Sequence, residues 1–134
     1  MEPLANIALR SARKGAQIFV GALDRPDLVK IIDQRVGDQV VTNLHMKTER
    51  AIIESLQQAY PDSPVLSRAS KINEVDRDYE GPVWRLDTLS GSTNLVREIP
   101  HFAIAISCRL NNRVEHAVIV DPVLNEEFTV SRGK

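Results

Sequence analysis

The chain has 134 residues, 43% of them hydrophobic and 26% charged, with 17 basic and 18 acidic side chains giving a formal net charge of −1. A chain of this length folds as one domain without needing a disulfide or metal, and residues 1–134 are read as that single domain. The charge balance gives no electrostatic reason to bind nucleic acid or an anionic membrane. The charged N-terminus "MEPLANIALRSARKG" and the absence of a long apolar run argue against a signal peptide and a membrane span.

Residues 3–22 read as a helix. Pro3 suits a first helical position, Leu4, Ile7, Ala8, Ala12, Ala16 and Phe19 recur near the 3.6 period, and Gly21 can end it. Arg10, Arg13 and Lys14 then form a solvated helix face. Residues 28–41 hold two β-branched runs around a turn at Gly37. A second helix follows, with Asn43 as N-cap and Ile52, Ile53, Leu56 and Ala59 as its apolar stripe, stopped at Tyr60-Pro61-Asp62.

The pattern then turns to strands. Val65-Leu66 is short, Val83–Asp87 is longer, and the polar "SKINEVDRDYEGP" between them is a surface loop. "HFAIAISCRL" and "RVEHAVIVDP" around Asn111-Asn112 predict a β-hairpin, and "EEFTVS" adds another antiparallel strand. The layout is α+β: two helices packed on an antiparallel sheet. Aromatic residues make up 4% of the chain, so the core rests on aliphatics. Cys108, the single cysteine, cannot form an internal disulfide; it suits a core position and a reducing, cytoplasmic compartment.

Chemistry is best sought in "WRLDTLSGSTN". A strand ending in Asp87 leads to Gly91, Ser92 and Thr93, whose backbone N–H groups can cradle an oxyanion, while Asp87 can give one oxygen to a cation. An ordinary turn with an Asx-type cap explains the same residues. Among other titratable groups, His101 reads as a structural residue at a strand start and His116 as a partly buried strand residue. His45, in the first turn of the second helix, reads as exposed, with a base or ligand role as the alternative. Glu49 and Glu54 read as solvent-facing charges. Glu74, Asp76, Asp78 and Glu80 form a solvated acidic loop, with a weak cation site as the alternative.

The sequence resembles the inositol monophosphatase family, in particular its bacterial extragenic-suppressor branch. "WRLDTLSGSTNL" and "PHFAIAIS" stand where the family has W-x-I-D-P-[IL]-D-G-T-T-N-F and P-H-F-A-V-S-I-A. "NIALRSARKGA", "VTN" with Glu49 beyond it, and "VEHAVIVDPVLNEEFTVSRGK" extend the likeness along the chain. The resemblance implies the N-terminal half of the sugar-phosphatase fold, and an activity in which Mg²⁺ ions clamp a phosphate monoester and lower the pKa of an attacking water. It makes Asp87 and the Leu89 backbone carbonyl metal ligands. Gly91, Ser92 and Thr93 become the phosphate cradle, with the Ser92 hydroxyl positioning the water.

Three acidic positions of the family are altered. Ser90 replaces the second metal-binding Asp, Arg68 replaces the metal-binding Glu of the T-E-E segment, and His45 replaces the Asp that polarises a water-activating Thr in T-x-x-D. Arg68 reverses the charge where a cation would bind. The family's W-D-x-A-[AG]-G segment, which carries another metal-binding Asp, lies in a second half that the resemblance does not reach. These features imply a catalytically impaired or inactive relative that exposes apolar surface or an unpaired strand edge, and so self-associates or binds a protein partner. Residual hydrolysis of inositol phosphate is one alternative, and a bacterial transcription-accessory role contacting RNA polymerase machinery is another.

Overall fold

The computed structural model describes residues 2–35, 39–72, 79–97, 99 and 101–133. Helix α1 spans Pro3–Leu23, a 3₁₀ turn covers Pro26–Leu28, and strands β1 (Ile31–Gln34) and β2 (Val40–Thr42) form an antiparallel pair. Helix α2 (Asn43–Ala59) leads to β3 (Val65–Ser67) and β4 (Val83–Asp87). The short helix α3 (Ser92–Val96) precedes β5 (Ile104–Leu110), β6 (Arg113–Asp121) and β7 (Glu126–Ser131). The expected turn at Gly37 and the acidic residues Glu74, Asp76 and Asp78 lie outside the described residues; Glu80 is exposed. Among the described residues no helix is long and apolar enough to cross a membrane.

The larger sheet has the order β3-β4-β5-β6-β7. The β4–β7 meander is antiparallel throughout, as the sequence predicts, but β3 runs parallel to β4, with Val65 opposite Trp84 and Ser67 opposite Leu86. The polar stretch between those two strands is long enough to carry the chain back for a parallel pairing. Asn111 and Asn112 take positive φ values of 52° and 62°, the left-handed geometry that a two-residue hairpin loop demands.

One face of this sheet is apolar because the side chains alternate. Trp84 and Leu86, then Ile104, Ile106 and Cys108, then Val118 and Val120 all point to the helices and are almost fully buried. Each such large side chain contributes about 1.5–3 kcal/mol through burial. Helix α1 meets them with Ala8, Leu9, Ala12 and Ala16, and α2 with Ile52 and Leu56. Cys108 is a core residue as expected, and burial pushes its thiol up to about 11. His116 is mostly buried on β6, with Nδ1 2.8 Å from Ser131 Oγ. Helix α1 continues two residues past Gly21, because a helical glycine costs only about 1 kcal/mol.

The two helices approach closely where their facing residues are small. A Cβ added at Gly15 would lie 2.5 Å from Ile52 Cδ1 and 3.1 Å from Thr48 Cγ2, and Ser11 Oγ is 2.7 Å from Ser55 Oγ. Gly15→Leu should therefore destabilise the protein by about 1–3 kcal/mol. Gly15→Ala should cost less than Gly15→Leu, because gained helix propensity offsets part of the clash with the buried Ile52. Urea denaturation of both variants checks this ordering.

Candidate functional site

The residues singled out in the sequence gather at one end of the sheet, where β2 enters α2 and where the loops after β3 and β4 leave their strands. The N-cap of α2 is Thr42 rather than Asn43. Thr42 Oγ1 accepts from the His45 backbone N–H at 3.2 Å, and the His45 ring closes a reciprocal capping box. Asn43 instead staples the approaching chain. Its Oδ1 accepts from the Lys30 N–H at 2.8 Å, and its Nδ2 donates to the Leu28 carbonyl at 2.8 Å.

His45 is buried, not exposed as the sequence reading had it, because its ring turns back onto the N-cap and packs 6.1 Å from the Phe19 ring. The Thr42 N–H donates to Nδ1 at 3.0 Å, so Nδ1 is an acceptor and the neutral ring carries its proton on Nε2. The Thr42 hydroxyl lies 2.9 Å from the same nitrogen. Burial lowers the imidazole to about 4, against a smaller opposing pull from the Asp87 charge.

Glu49 also departs from its expected place in solvent. It is 1% exposed, and its carboxylate accepts from the hydroxyls of Ser67, Ser70 and Thr88, the latter two at 2.9 and 2.8 Å. One buried carboxyl group thus joins α2 to the loop after β3 and the loop after β4. The sequence held a signal for it: Glu49 lies three residues before Ile52 and seven before Leu56, on the apolar stripe itself. Glu54 is exposed, as expected.

The loop after β4 is held mainly by backbone bonds. Asp87 Oδ1 accepts from the Leu89 N–H at 2.9 Å, the Asx-type turn that the sequence allows, and the Leu89 carbonyl accepts from the Ser92 N–H at 3.0 Å. Leu89 itself is buried beside Val41 and Ala69. Gly91 has φ +78°, and a Cβ there would lie 2.8 Å from Phe102 Cα, so no other residue fits without movement. Ser92 is buried, and its Oγ accepts from the Val40 N–H at 3.2 Å. Ser90 is exposed, while its carbonyl accepts from the Ala103 N–H at 3.3 Å. Thr93 lies in α3, and its side chain is outside the described residues. His101 is exposed and precedes the first residue of β5 by three positions. Its contribution is a carbonyl that accepts from Asn94 Nδ2 at 2.7 Å, not its ring.

Arg68 lies over this loop. Its Nη1 is 3.9 Å from Asp87 Oδ2, and its Nη2 donates to Gln39 Oε1 at 2.6 Å. Arg35 fixes the backbone beneath it by donating to the carbonyls of Arg68 and of Ala69, the latter at 2.9 Å. Asp87, Arg68, Leu89 and Ser92 therefore belong to one constellation, and His45 couples to it through the Asp87 charge.

Two outcomes follow from the buried groups. Glu49→Ala should cost about 2–4 kcal/mol in urea denaturation, because buried hydroxyls lose their acceptor. For His45, the unfolded ring binds a proton below about 6.5 and the folded ring only below about 4. Its contribution is complete above pH 6.5 and is lost as pH falls toward 4, on the order of 3 kcal/mol in all. His45→Gln, which can keep the capping box without titrating, should flatten the stability curve across that window.

Comparison with known proteins extends the match in geometry. Residues 1–134 match the model of the inositol monophosphatase family. The chain is 36% identical over 134 residues to Nus factor SuhB of Pseudomonas aeruginosa and 36% identical over 135 residues to that of Escherichia coli K12. In both cases it is covered completely but spans only 49% of the relative. Extragenic suppressor protein SuhB of Bartonella henselae superposes with a TM-score of 0.85 at 24% identity, covering 99% of this chain and 50% of that one. An IMPase of Thermotoga maritima gives 0.80 at 22%, covering 96% and 48%. The chain thus spans about half the length of the curated relatives it matches, and its fold corresponds to the N-terminal half of theirs. With the whole of residues 1–134 matched, the chain belongs to the inositol monophosphatase family.

Proposed function

We propose that this chain is a catalytically impaired or inactive member of its family, retaining the shape of the phosphate-binding loop without the metal chemistry. The observation that carries this reading is the Arg68 guanidinium 3.9 Å from Asp87. Mg²⁺ prefers about six oxygen donors and usually more than one carboxylate. The family implies such ions here, yet among the described residues no three His, Cys, Asp or Glu side chains converge to hold one. Asp87 faces a permanent cation, Ser90 offers a neutral and exposed oxygen, and the Leu89 carbonyl could add only one more neutral donor. This donor set does not fit the metal, and no hydrolytic step is derived through one.

The remaining parts support a preserved scaffold. Gly91 keeps the backbone conformation through which the loop would face a phosphate. In the family an Asp polarises the Thr of T-x-x-D. Here His45 bonds Thr42 as a neutral imidazole, which orients the hydroxyl but supplies no negative charge. Ser92 Oγ accepts from the Val40 N–H, an arrangement that fixes the hydroxyl in the wall of the loop. The free, buried Cys108 suits a reducing cytoplasm.

A second reading is favoured by the relatives called Nus factor SuhB: a protein-binding, transcription-accessory role that needs no turnover. Phosphate release from inositol 1-phosphate in Mg²⁺, with Asp87→Asn alongside, tests the first reading. The expected result is no release above blank for either protein; release abolished by Asp87→Asn overturns it. Terbium luminescence should detect a gain of about tenfold or more in metal affinity when Arg68→Glu and Ser90→Asp are combined, since two carboxylates replace a cation and a neutral oxygen.

A further inference from the structure

Strand β1 is attached to the rest of the molecule by polar bonds. None of Ile31, Ile32, Asp33 and Gln34 is buried, and the pairing with β2 slips between Ile31 and Asp33. Strand β2, by contrast, is buried at every position. A two-stranded ribbon in which one strand buries no side chain opens readily unless other contacts hold it.

Arg35, the residue after β1, supplies those contacts. Its side chain is 20% exposed, and all three of its guanidinium nitrogens are bonded. Nε donates to Asp33 Oδ2 at 3.1 Å, Nη1 donates to the Arg68 carbonyl, and Nη2 donates to the Ala69 carbonyl at 2.9 Å. Lys71 Nζ, also in the loop after β3, lies 3.6 Å from Asp33 Oδ2. That loop is a firm seat. Glu49 accepts from Ser67 and Ser70 beneath it, Ala69 packs with Val41 and Leu89, and Ser67 and Ile72 exchange backbone bonds at 2.7 and 2.8 Å.

A second arginine crosses in the opposite direction. Arg68, from the loop, donates through Nη2 to Oε1 of Gln39, the residue before β2, at 2.6 Å. Its Nη1 stands 3.9 Å from Asp87 Oδ2. The three hydrogen bonds that cross between ribbon and loop all end on neutral oxygens. They hold by direction, which the planar guanidinium fork provides and a point charge does not.

We propose that Arg35 and Arg68 form a crossed clasp that closes the β1–β2 ribbon onto the loop beside Asp87, so that guanidinium groups and not a bound ion set the closure. The clasp rests on the reading that the donor set beside Asp87 does not fit a metal. It makes the closed ribbon an intrinsic state of the chain. A cation binding at Asp87 competes with Arg68, and displacing Arg68 also cuts its bond to Gln39. Occupancy of the site and release of the ribbon are therefore coupled.

Native-state hydrogen exchange tests the clasp on the full chain. The reporters are the N–H groups at position 35, bonded to the Gln39 carbonyl at 2.8 Å, and at position 40, bonded to Ser92 Oγ at 3.2 Å. Arg35→Gln and Arg35→Lys should each speed their exchange by about tenfold or more, while amides of β5 and β6 change by less than about threefold. Lysine keeps the charge but loses the fork, so its failure to substitute identifies directed bonds as the cause. Arg68→Met removes one crossing bond at a more exposed position and should speed the same amides by a smaller factor. Neither EDTA nor Mg²⁺ should alter exchange at positions 35 and 40 in the unaltered chain. Ribbon amides indifferent to both Arg35 variants, in a chain whose β5 and β6 amides remain protected, overturn the proposal. So does an acceleration spread evenly over the larger sheet, or an acceleration by EDTA alone. Phosphate release abolished by Asp87→Asn, with ribbon exchange unmoved by EDTA, overturns the reading of impaired chemistry and leaves the clasp standing.

Discussion

The carboxylate of Glu49 is the point on which the functional end of the molecule depends. A polar group removed from water is costly unless bonds replace those it loses, and three hydroxyls supply them here. Because those hydroxyls come from Ser67, Ser70 and Thr88, satisfying one side chain also sets the paths of two loops against α2. The neighbouring N-cap works in the same direction: Thr42 and His45 bond reciprocally and fix the first turn of that helix. The end of the sheet is thus ordered by buried polar bonds of the protein itself.

This independence explains how the loop after β4 can keep its shape while its electrostatics change. Its course is set by the Asx turn at Asp87, the positive φ of Gly91 and the backbone bonds to Ser92 and Ala103. None of these requires a bound ion. Arg68 can then occupy the space beside Asp87, fixed by Gln39 and with its backbone braced by Arg35, at little cost to the fold. The pair is partly exposed, so its attraction contributes little to stability. Its consequence is chemical: a carboxylate that could attract a cation already faces one.

Much of the architecture was legible before the structure. Helices α1 and α2 follow from apolar residues at helical spacing. The β5–β6 hairpin follows from alternating runs around Asn111-Asn112, and the burial of Cys108 from its place in such a run. The readings that failed share a cause. From sequence His45 and Glu49 read as solvent-exposed, because charged or polar side chains near a helix start usually are. Both sit on the inward stripe: Glu49 is bonded by hydroxyls from distant loops, whereas His45 bonds its own cap and packs against Phe19. The cap moved from Asn43 to Thr42 because either residue can cap, and Asn43 is taken up by Lys30 and Leu28. The parallel pairing of β3 with β4 escaped because strand direction is set by the path of the intervening chain, not by the composition of either strand.

The sequence by itself determined the α+β class, the order of helices and strands, the glycine loop after Asp87, and the presence of a basic Arg68, a neutral Ser90 and a histidine at position 45. These are local properties: periodicity, turn chemistry and residue identity are written along the chain. Only the tertiary structure decided that Arg68 lies against Asp87, that His45 is neutral and bonded to its own cap, and that Glu49 anchors two loops. Each of these depends on which segments meet in space: Arg68 and Glu49 find partners far away in sequence, and the ring of His45 is shut from solvent by packing against Phe19.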